Sequence, residues 1–427
     1  MNARQDSLQA LIMAALAERG LASSLELQQL SGKSQPTVSR ALQALAPQLV
    51  QLGQGKRTRY GRPALIRGLS AQQALWWTDA AGHTRRWGTL TSLSGGRVHV
   101  QAEGIDEVTR DQLPWYLSPL KAQGFLGRAW GKAVGLGSDP DQWDLEQVLY
   151  AALRVDDAPG AISLGETQGE LIPELPLDLL QRGAQYDALA ADVQQTLPAG
   201  SSAGGEQAKF LTRLATGERV LVKFSPPRGT PFGERWHDLL HAELLALQVL
   251  RDHGHPVATT RVLETKARTY LESTRFDRLG QDGRRHAVAL DAVHAAFVPG
   301  ARQHWAATCD ALVLQRRLSE SDAAMARTWW AFGRLINNTD MHFGNLSLWA
   351  DEPAKAVFSL APLYDMLPMR WRPDSYTGLG DYTPFELTAV SHAPSVALAR
   401  QFWQRLAAHE PVSQALRSVA NTMAARF

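Results

Sequence analysis

A chain of 427 residues with 44% apolar and 20% charged side chains and a formal charge of +2 suits a globular protein of two or three cores, and excludes a disordered tail or a repeat array. Its one cysteine, Cys309, excludes an intrachain disulfide and a cysteine-ligated metal. No run approaches the ~18 apolar residues of a membrane span, and the N-terminus lacks the pattern of a secretion signal, so the expected location is cytoplasmic.

The charge is unevenly spread. Residues 1–67 hold nine Lys and Arg against three Asp and Glu, a surplus of six, which leaves the remainder at −4. A basic unit of this size is the electrostatic footprint of nucleic-acid binding. Within it, Leu8, Leu11, Ile12, Ala15 and Leu16 recur at helical spacing between Asp6 and Arg19, and Gly20 is the stop. Ser23 or Ser24 can cap a second helix, Ser31-Gly32-Lys33 makes a turn, and Ser34 caps a third helix with Pro36 in its first turn. Leu49–Leu52 and the basic run Lys56–Tyr60, joined by a turn at Gly53–Gly55, read as a hairpin. The pattern predicts a winged helix-turn-helix over 1–67 that binds double-stranded DNA. Ser34, Gln35, Thr37, Ser39 and Arg40 on the third helix, with Lys56, Arg57 and Arg59 on the wing, are the side chains expected to meet bases and phosphates.

Residues 71–170 carry short apolar runs broken by Gly and Pro and are dense in tryptophan: Trp76, Trp77, Trp87, Trp115 and Trp130. They read as a mixed strand and helix unit in which packing, not catalysis, is expected. A Ser/Gly-rich stretch then begins at Pro198, and loops without side-chain bulk let backbone N–H groups approach phosphates. Lys209–Leu214 and Arg219–Phe224, split by Thr216-Gly217-Glu218, predict a hairpin whose second strand ends in Lys223. Glu243, on a helix expected over Trp236–Leu250, is placed to pair with that lysine, as a kinase small lobe requires. The Walker pattern is absent. His237 and His241 share this helix at i and i+4, but Asp238 stands where a metalloprotease needs Glu, so a partly solvated face is expected there.

After a mainly helical stretch to Arg334 comes NNTDMHFGNL at 337–346, which sets Asp340 and Asn345 five positions apart. The protein-kinase catalytic loop uses this D-x-x-x-x-N spacing. One carboxylate orients and deprotonates the attacking hydroxyl, and a neighbouring oxygen ligand holds the magnesium that screens the phosphates. Strands at Leu346–Trp349 and Ala356–Leu360 lead to Asp365, where a kinase places its second magnesium ligand, although Asp-Met-Leu departs from D-F-G. A helical region from Ser395 to Arg426 follows. Glycine loop, lysine, glutamate, Asp-x4-Asn, hairpin and aspartate in this order form a joint signal stronger than any one of them.

Through SSAGGEQAKF (201–210), LVKF (221–224), RFDR (275–278), NTDMHFGNLSL (338–348) and LAPLYD (360–365), residues 71–427 resemble the HipA-like serine/threonine kinases, the toxins of type II toxin-antitoxin systems. The N-terminal unit resembles the subgroup with a fused DNA-binding domain. The resemblance implies an α+β fold with a two-lobed kinase-like body, its N-lobe over 71–275 and a helical C-lobe over 276–427. It implies ATP and Mg2+ as cofactors, Asp340 as catalytic base, Asn345 and Asp365 as metal ligands, and Lys223, paired with Glu243, on the phosphates. Gly205, Gln207 and Lys209 match the phosphate loop, His342 and Tyr364 would line the nucleotide site, and Arg275 and Phe276 mark the hinge beside the adenine. Ser202 matches the autophosphorylated serine, with Ser201 adjacent. The implied partners are a protein substrate, such as a translation factor or an aminoacyl-tRNA synthetase, and a second copy of the chain, with no membrane. Two alternatives stand beside this reading: a winged-helix regulator with a non-catalytic kinase-like body, and a small-molecule phosphotransferase with the same Asp and Asn arrangement.

Overall fold

In the computed structural model, residues 2–137, 139–154, 157–166, 178, 181–196, 207–374, 377–387 and 392–427 are described. The chain opens with helices Asn2–Arg19, Ser24–Ser31 and Gln35–Leu45. Their apolar stripes meet: Leu8, Ile12 and Leu16 pack against Leu27, Val38, Leu42 and Leu45. Ser23 and Glu26 close the second helix with a reciprocal capping box, and Gly32 ends it in the left-handed conformation at φ 65°. A small sheet completes the unit, with Arg59–Gly61 between Leu21–Ser23 and Val50–Leu52. The expected basic strand is shorter than its sequence suggests. Residues 55–57 form a 3-10 turn, so Lys56 and Arg57 lie ahead of the strand and only Arg59 and Tyr60 of the basic run are paired. The three-residue strand Leu21–Ser23 is too short to show an alternation in sequence.

Backbone bonds from Ala64 to Ser92 (3.0 Å) and from Ser94 to Arg62 (2.8 Å) seat this unit on the next. There, five antiparallel strands run in the order Ile105–Arg110, Arg97–Ala102, Thr84–Leu93, Gln72–Thr78 and Ile162–Leu164. Leu75, Trp87, Leu90, Val98 and Tyr116 fill the space beneath helix Leu145–Ala152. Trp115 stands edge-on to Tyr116, Phe297 and Phe358, which ties this unit to the C-terminal lobe. A second sheet follows, ordered Thr260–Glu264, Thr269–Thr274, Arg219–Phe224 and Lys209–Arg213, with helix Pro231–Asp252 against it. Residues 71–275 therefore contain two sheets with separate cores.

The C-terminal lobe surrounds a short sheet of Ala287–Ala289, Ser347–Trp349 and Ser359–Leu360 with helices Leu290–Phe297, Trp305–Leu314, Glu320–Leu335, Ala393–Ala408 and Gln414–Ala424. Trp305, Trp329, Phe332, Phe402 and Trp403 are fully buried at its centre. The stretch expected to be mainly helical also holds strands at Arg278–Leu279, Gly283–Arg284 and Ala287–Ala289. The expected final helical region is two helices, because the chain turns at 409–413 and the Ser413 hydroxyl starts the second by accepting from Leu416 N. Among the described residues, no helix is long and apolar enough to cross a membrane.

Candidate active site

The register of the hairpin places Lys223 directly opposite Lys209, so the two ammonium groups share one face of the sheet. Helix Pro231–Asp252 brings Glu243 to that face. Thr230 caps the helix by accepting from Gly233 N at 3.1 Å, and Gly233 is required there because a Cβ would stand 2.0 Å from the Pro227 carbonyl oxygen. Lys223 Nζ donates to both Glu243 oxygens at 2.7 Å and also to Asp365. Burial alone would lower the Lys223 pKa, but the carboxylates of Asp365 and Glu243 outweigh it and hold the ammonium above the usual lysine range. Burial pushes the Asp365 carboxyl up, and Lys223 and Lys209 more than reverse this. Lys209 is moved down, chiefly by desolvation, with Asp365 opposing.

Asp365 reaches this face because the C-lobe chain pairs with the small lobe just before it: Ala258 N donates to Leu363 O at 2.8 Å and Leu363 N to Pro256 O at 3.0 Å. Two non-glycine residues in the left-handed region, Asn337 (φ 56°) and Asp365 (φ 54°), bracket the site. Such conformations persist only where surrounding contacts over-determine them. Arg334 O and Arg370 N bond the Asn337 backbone, and Asn338 supplies a contact at Asp365. Asn338 Oδ1 accepts from Asp340 N at 3.1 Å while its Nδ2 donates to Asp365 O at 3.2 Å, so one buried amide links the 337–346 loop to Asp365. Asn345 Nδ2 donates to Asp340 O at 2.8 Å, which leaves the Asn345 carbonyl oxygen for a cation. Trp305 Nε1 holds the His342 carbonyl at 3.0 Å.

Gln207, Lys209, Lys223, Glu243, Asp340, His342, Asn345 and Asp365 line a single cleft of about 360 Å³. Eight of the residues singled out in the sequence thus meet in one place. Gln207 Nε2 donates to Phe224 O at 2.6 Å, whereas its buried Oε1 has no partner among the described residues. The oxygen set of Asp340, Asn345 and Asp365 suits a hard divalent cation such as Mg2+, and two ammonium groups beside it suit phosphates.

Other candidates lie elsewhere. Tyr364 Oη donates to Gly344 O at 2.9 Å and meets Ser347 Oγ at 2.8 Å, while Phe276 packs on Tyr364 and Trp349. Arg275 does not line the cleft. Its guanidinium meets Asp277 at 2.9 and 3.0 Å and Asp157 at 2.5 Å, and Arg278 joins the same two carboxylates. Gly160 N donates to Asp277 at 2.9 Å. The RFDR segment is therefore a buried brace between the five-stranded unit and the small lobe. Burial pushes the Asp277 carboxyl up, but Arg275 and Arg278 hold it far below the usual carboxylate range. Ser201, Ser202 and Gly205 lie outside the described residues. The cleft has further walls that no sequence motif signalled: Trp236, Leu367, Met369 and the exposed Arg372.

In the N-terminal unit, Ser34, Gln35, Ser39, Arg40, Arg57 and Arg59 are exposed and Thr37 is half-buried. The expected solvated face at His237 and His241 is not observed. Both are buried, against Thr269, Glu264 and the 409–411 segment, because the C-terminal chain folds back over this helix.

Residues 201–427 match the HipA-like C-terminal domain family, and residues 69–171 match the middle domain of YjjJ-like toxins. Toxin YjjJ of Escherichia coli (strain K12) is 37% identical over 429 residues, which span 95% of this chain and 94% of that relative. A chain in the solved complex of HipA, HipB and operator DNA from Shewanella oneidensis MR-1 superposes with a TM-score of 0.54 at 14% identity, over 83% of this chain and 95% of that one. The chain belongs to the HipA-like toxin family.

Proposed function

We propose that the chain is an ATP- and Mg2+-dependent serine/threonine protein kinase that phosphorylates its own Ser202, or the adjacent Ser201, and binds double-stranded DNA through a winged helix-turn-helix over residues 1–67. The observation that carries this reading is the convergence of Lys223, Glu243, Asp340, Asn345 and Asp365 on one cleft. Bound magnesium supplies charge neutralisation for the transferring phosphoryl group. Asn345 Oδ1 and Asp365 would hold it. Asp340, oriented through its backbone by Asn338 and Asn345, accepts the proton of the attacking hydroxyl. Lys223 leaves Asp365 for the phosphates while Glu243 keeps its charge paired, and Lys209 cradles the same anion from the neighbouring strand.

On this reading phosphate on Ser202 would add about −1.5 to −2 charges to a loop that serves the ATP phosphates, and like-charge repulsion would favour its ejection. DNA binding is supported by the surplus of six basic residues in 1–67 and by the exposure of Ser34, Gln35, Ser39 and Arg40 on the third helix. In the Shewanella oneidensis complex, HipA is found with HipB and operator DNA. Here the fused N-terminal unit supplies the DNA contact within the same chain.

The test is incubation of the full chain with labelled ATP and a cell extract, with and without Mg2+, followed by mapping of labelled residues. Label is expected on Ser202 or Ser201 and on a protein hydroxyl in the extract, all of it Mg2+-dependent. Transfer to a small metabolite alone would overturn the protein-kinase assignment. A Ser202→Ala chain that still inactivates itself with ATP would refute the loop mechanism.

A further inference from the structure

The helix that carries Glu243 also carries two buried histidines one turn apart, and strand Thr260–Glu264 brings a carboxylate to them. One ligand atom each from His237, His241 and Glu264 lie within 4.8 Å of one another. The ring tautomers follow from their outer partners. His237 Nε2 lies 2.8 Å from the Pro411 carbonyl, which only accepts, so Nε2 carries the proton and Nδ1 keeps its lone pair. That Nδ1 meets Thr269 Oγ1 at 2.7 Å and Arg228 Nη1 at 3.2 Å. His241 Nε2 faces Glu264 Oε1 at 3.1 Å, and its Nδ1 meets His409 Nε2 at 2.9 Å. Metal-binding histidines are held in this way, with the nitrogen away from the metal fixed by a carbonyl or another polar group.

The cluster already attracts a cation. Arg228 Nη1 donates to Glu264 Oε2 at 2.9 Å while reaching His237 Nδ1, so a guanidinium occupies the space between the carboxylate and the imidazole. Its side chain is 30% exposed. The helix itself is held in place: Asp238 accepts from Ser413 N at 2.7 Å and from its hydroxyl at 2.6 Å, locking the helix to the 409–413 segment.

We propose that His237, His241 and Glu264 form a zinc site that is reached when Arg228 swings outward and that fastens the helix bearing Glu243 to the edge strand of its sheet. Two imidazoles and a carboxylate without thiolate form a donor set that zinc accepts, and water completes the tetrahedron. Ligation moves the His241 proton from Nε2 to Nδ1. His241 then donates to His409 Nε2, and His409 shifts its own proton to Nδ1, so no net proton is lost. The helical HxxxH spacing alone lacked the third ligand, which arrives from a strand 23 residues further along. This inference is independent of the kinase reading.

The test uses tag-free, full-length protein stripped with chelator, titrated with Zn2+ against a chromophoric chelator, and with Co2+ for the visible absorption of a tetrahedral site. One tight site per chain is expected, lost in His241→Ala and weakened at least ~10-fold in Glu264→Gln. Arg228→Ala should bind zinc more tightly, since its guanidinium competes for the place. Equal zinc affinity in the native chain, Glu264→Gln and Arg228→Ala would overturn the proposal, as would the absence of any chelator-resistant site. If His241→Ala fails to fold, the other two variants, at partly exposed positions, still decide the matter.

Discussion

Replacing Glu243 by Gln keeps the size of the side chain and removes the charge that holds Lys223 when Asp365 turns elsewhere. In the native chain the ammonium donates to both Glu243 oxygens at 2.7 Å and to Asp365, and the Lys223 and Glu243 side chains are 8% and 3% exposed. The variant retains one amide acceptor, so one charge-assisted bond is lost, a cost of ~1.5–3 kcal/mol. For a cooperative unit of about 200 residues, ~2 kcal/mol lowers Tm by roughly 4–8 °C. A second effect falls on the metal. With no carboxylate to return to, Lys223 stays on Asp365, and freeing Asp365 for its proposed role at magnesium then requires leaving a buried ammonium poorly paired. Nucleotide affinity should therefore weaken ~10-fold or more in the presence of Mg2+ and little in its absence, a loss of about 1.4 kcal/mol. Thermal unfolding and fluorescent-nucleotide titrations with and without Mg2+ provide the readouts. A Glu243→Gln chain with native Tm and native Mg2+-dependent affinity would refute the reasoning.

Three further expectations concern other parts of the molecule. Asp277→Ala leaves the buried Arg275 and Arg278 sharing one carboxylate, Asp157, and should cost ~3–5 kcal/mol, read as a lowered urea midpoint; an unchanged midpoint would show that Asp277 contributes nothing to the brace. Because the Asp277 pKa is depressed in the fold, its contribution is present above the unfolded value of about 3.9 and is lost as pH falls towards the folded value. Urea midpoints of the native chain should therefore drop below pH ~4, and an Asp277→Asn chain should show a shallower drop. Arg40→Ala and Arg59→Ala should each reduce the salt dependence of duplex DNA binding by about one unit of slope in fluorescence anisotropy, and an unaltered slope would place the DNA contact elsewhere.

What could be read from the chain depended on whether chemistry or distance set the pattern. That Asp340 and Asn345 share a cleft with Lys223 is legible because the D-x-x-x-x-N spacing is the one by which kinase loops present a carboxylate beside an oxygen ligand, and because a hairpin announces itself by its turn. Asn338 was not, since its role rests on the left-handed backbone of Asn337 and Asp365 and on a partner 27 residues away. Arg275 shows the converse. Its motif suggested the nucleotide, but its guanidinium is paired with Asp157, which lies 118 residues earlier in a different unit. The histidines on the Glu243 helix read as solvated because the chain that buries them, at His409 and Pro411, comes 168 to 174 residues later. Short strands such as Leu21–Ser23 and Ala287–Ala289 carry too few residues for any periodicity to register.

The proposed role of Asp340 as the base of a phosphoryl transfer is tested most directly by the split between binding and turnover in Asp340→Asn. The side chain is half-buried in the cleft, and its backbone, not its carboxylate, makes the bonds to Asn338 and Asn345, so the substitution leaves the loop in place. Mg2+-nucleotide affinity should stay close to native while labelled phosphate transfer falls by roughly 10²–10⁴-fold. Native autophosphorylation in the Asp340→Asn chain would contradict the account.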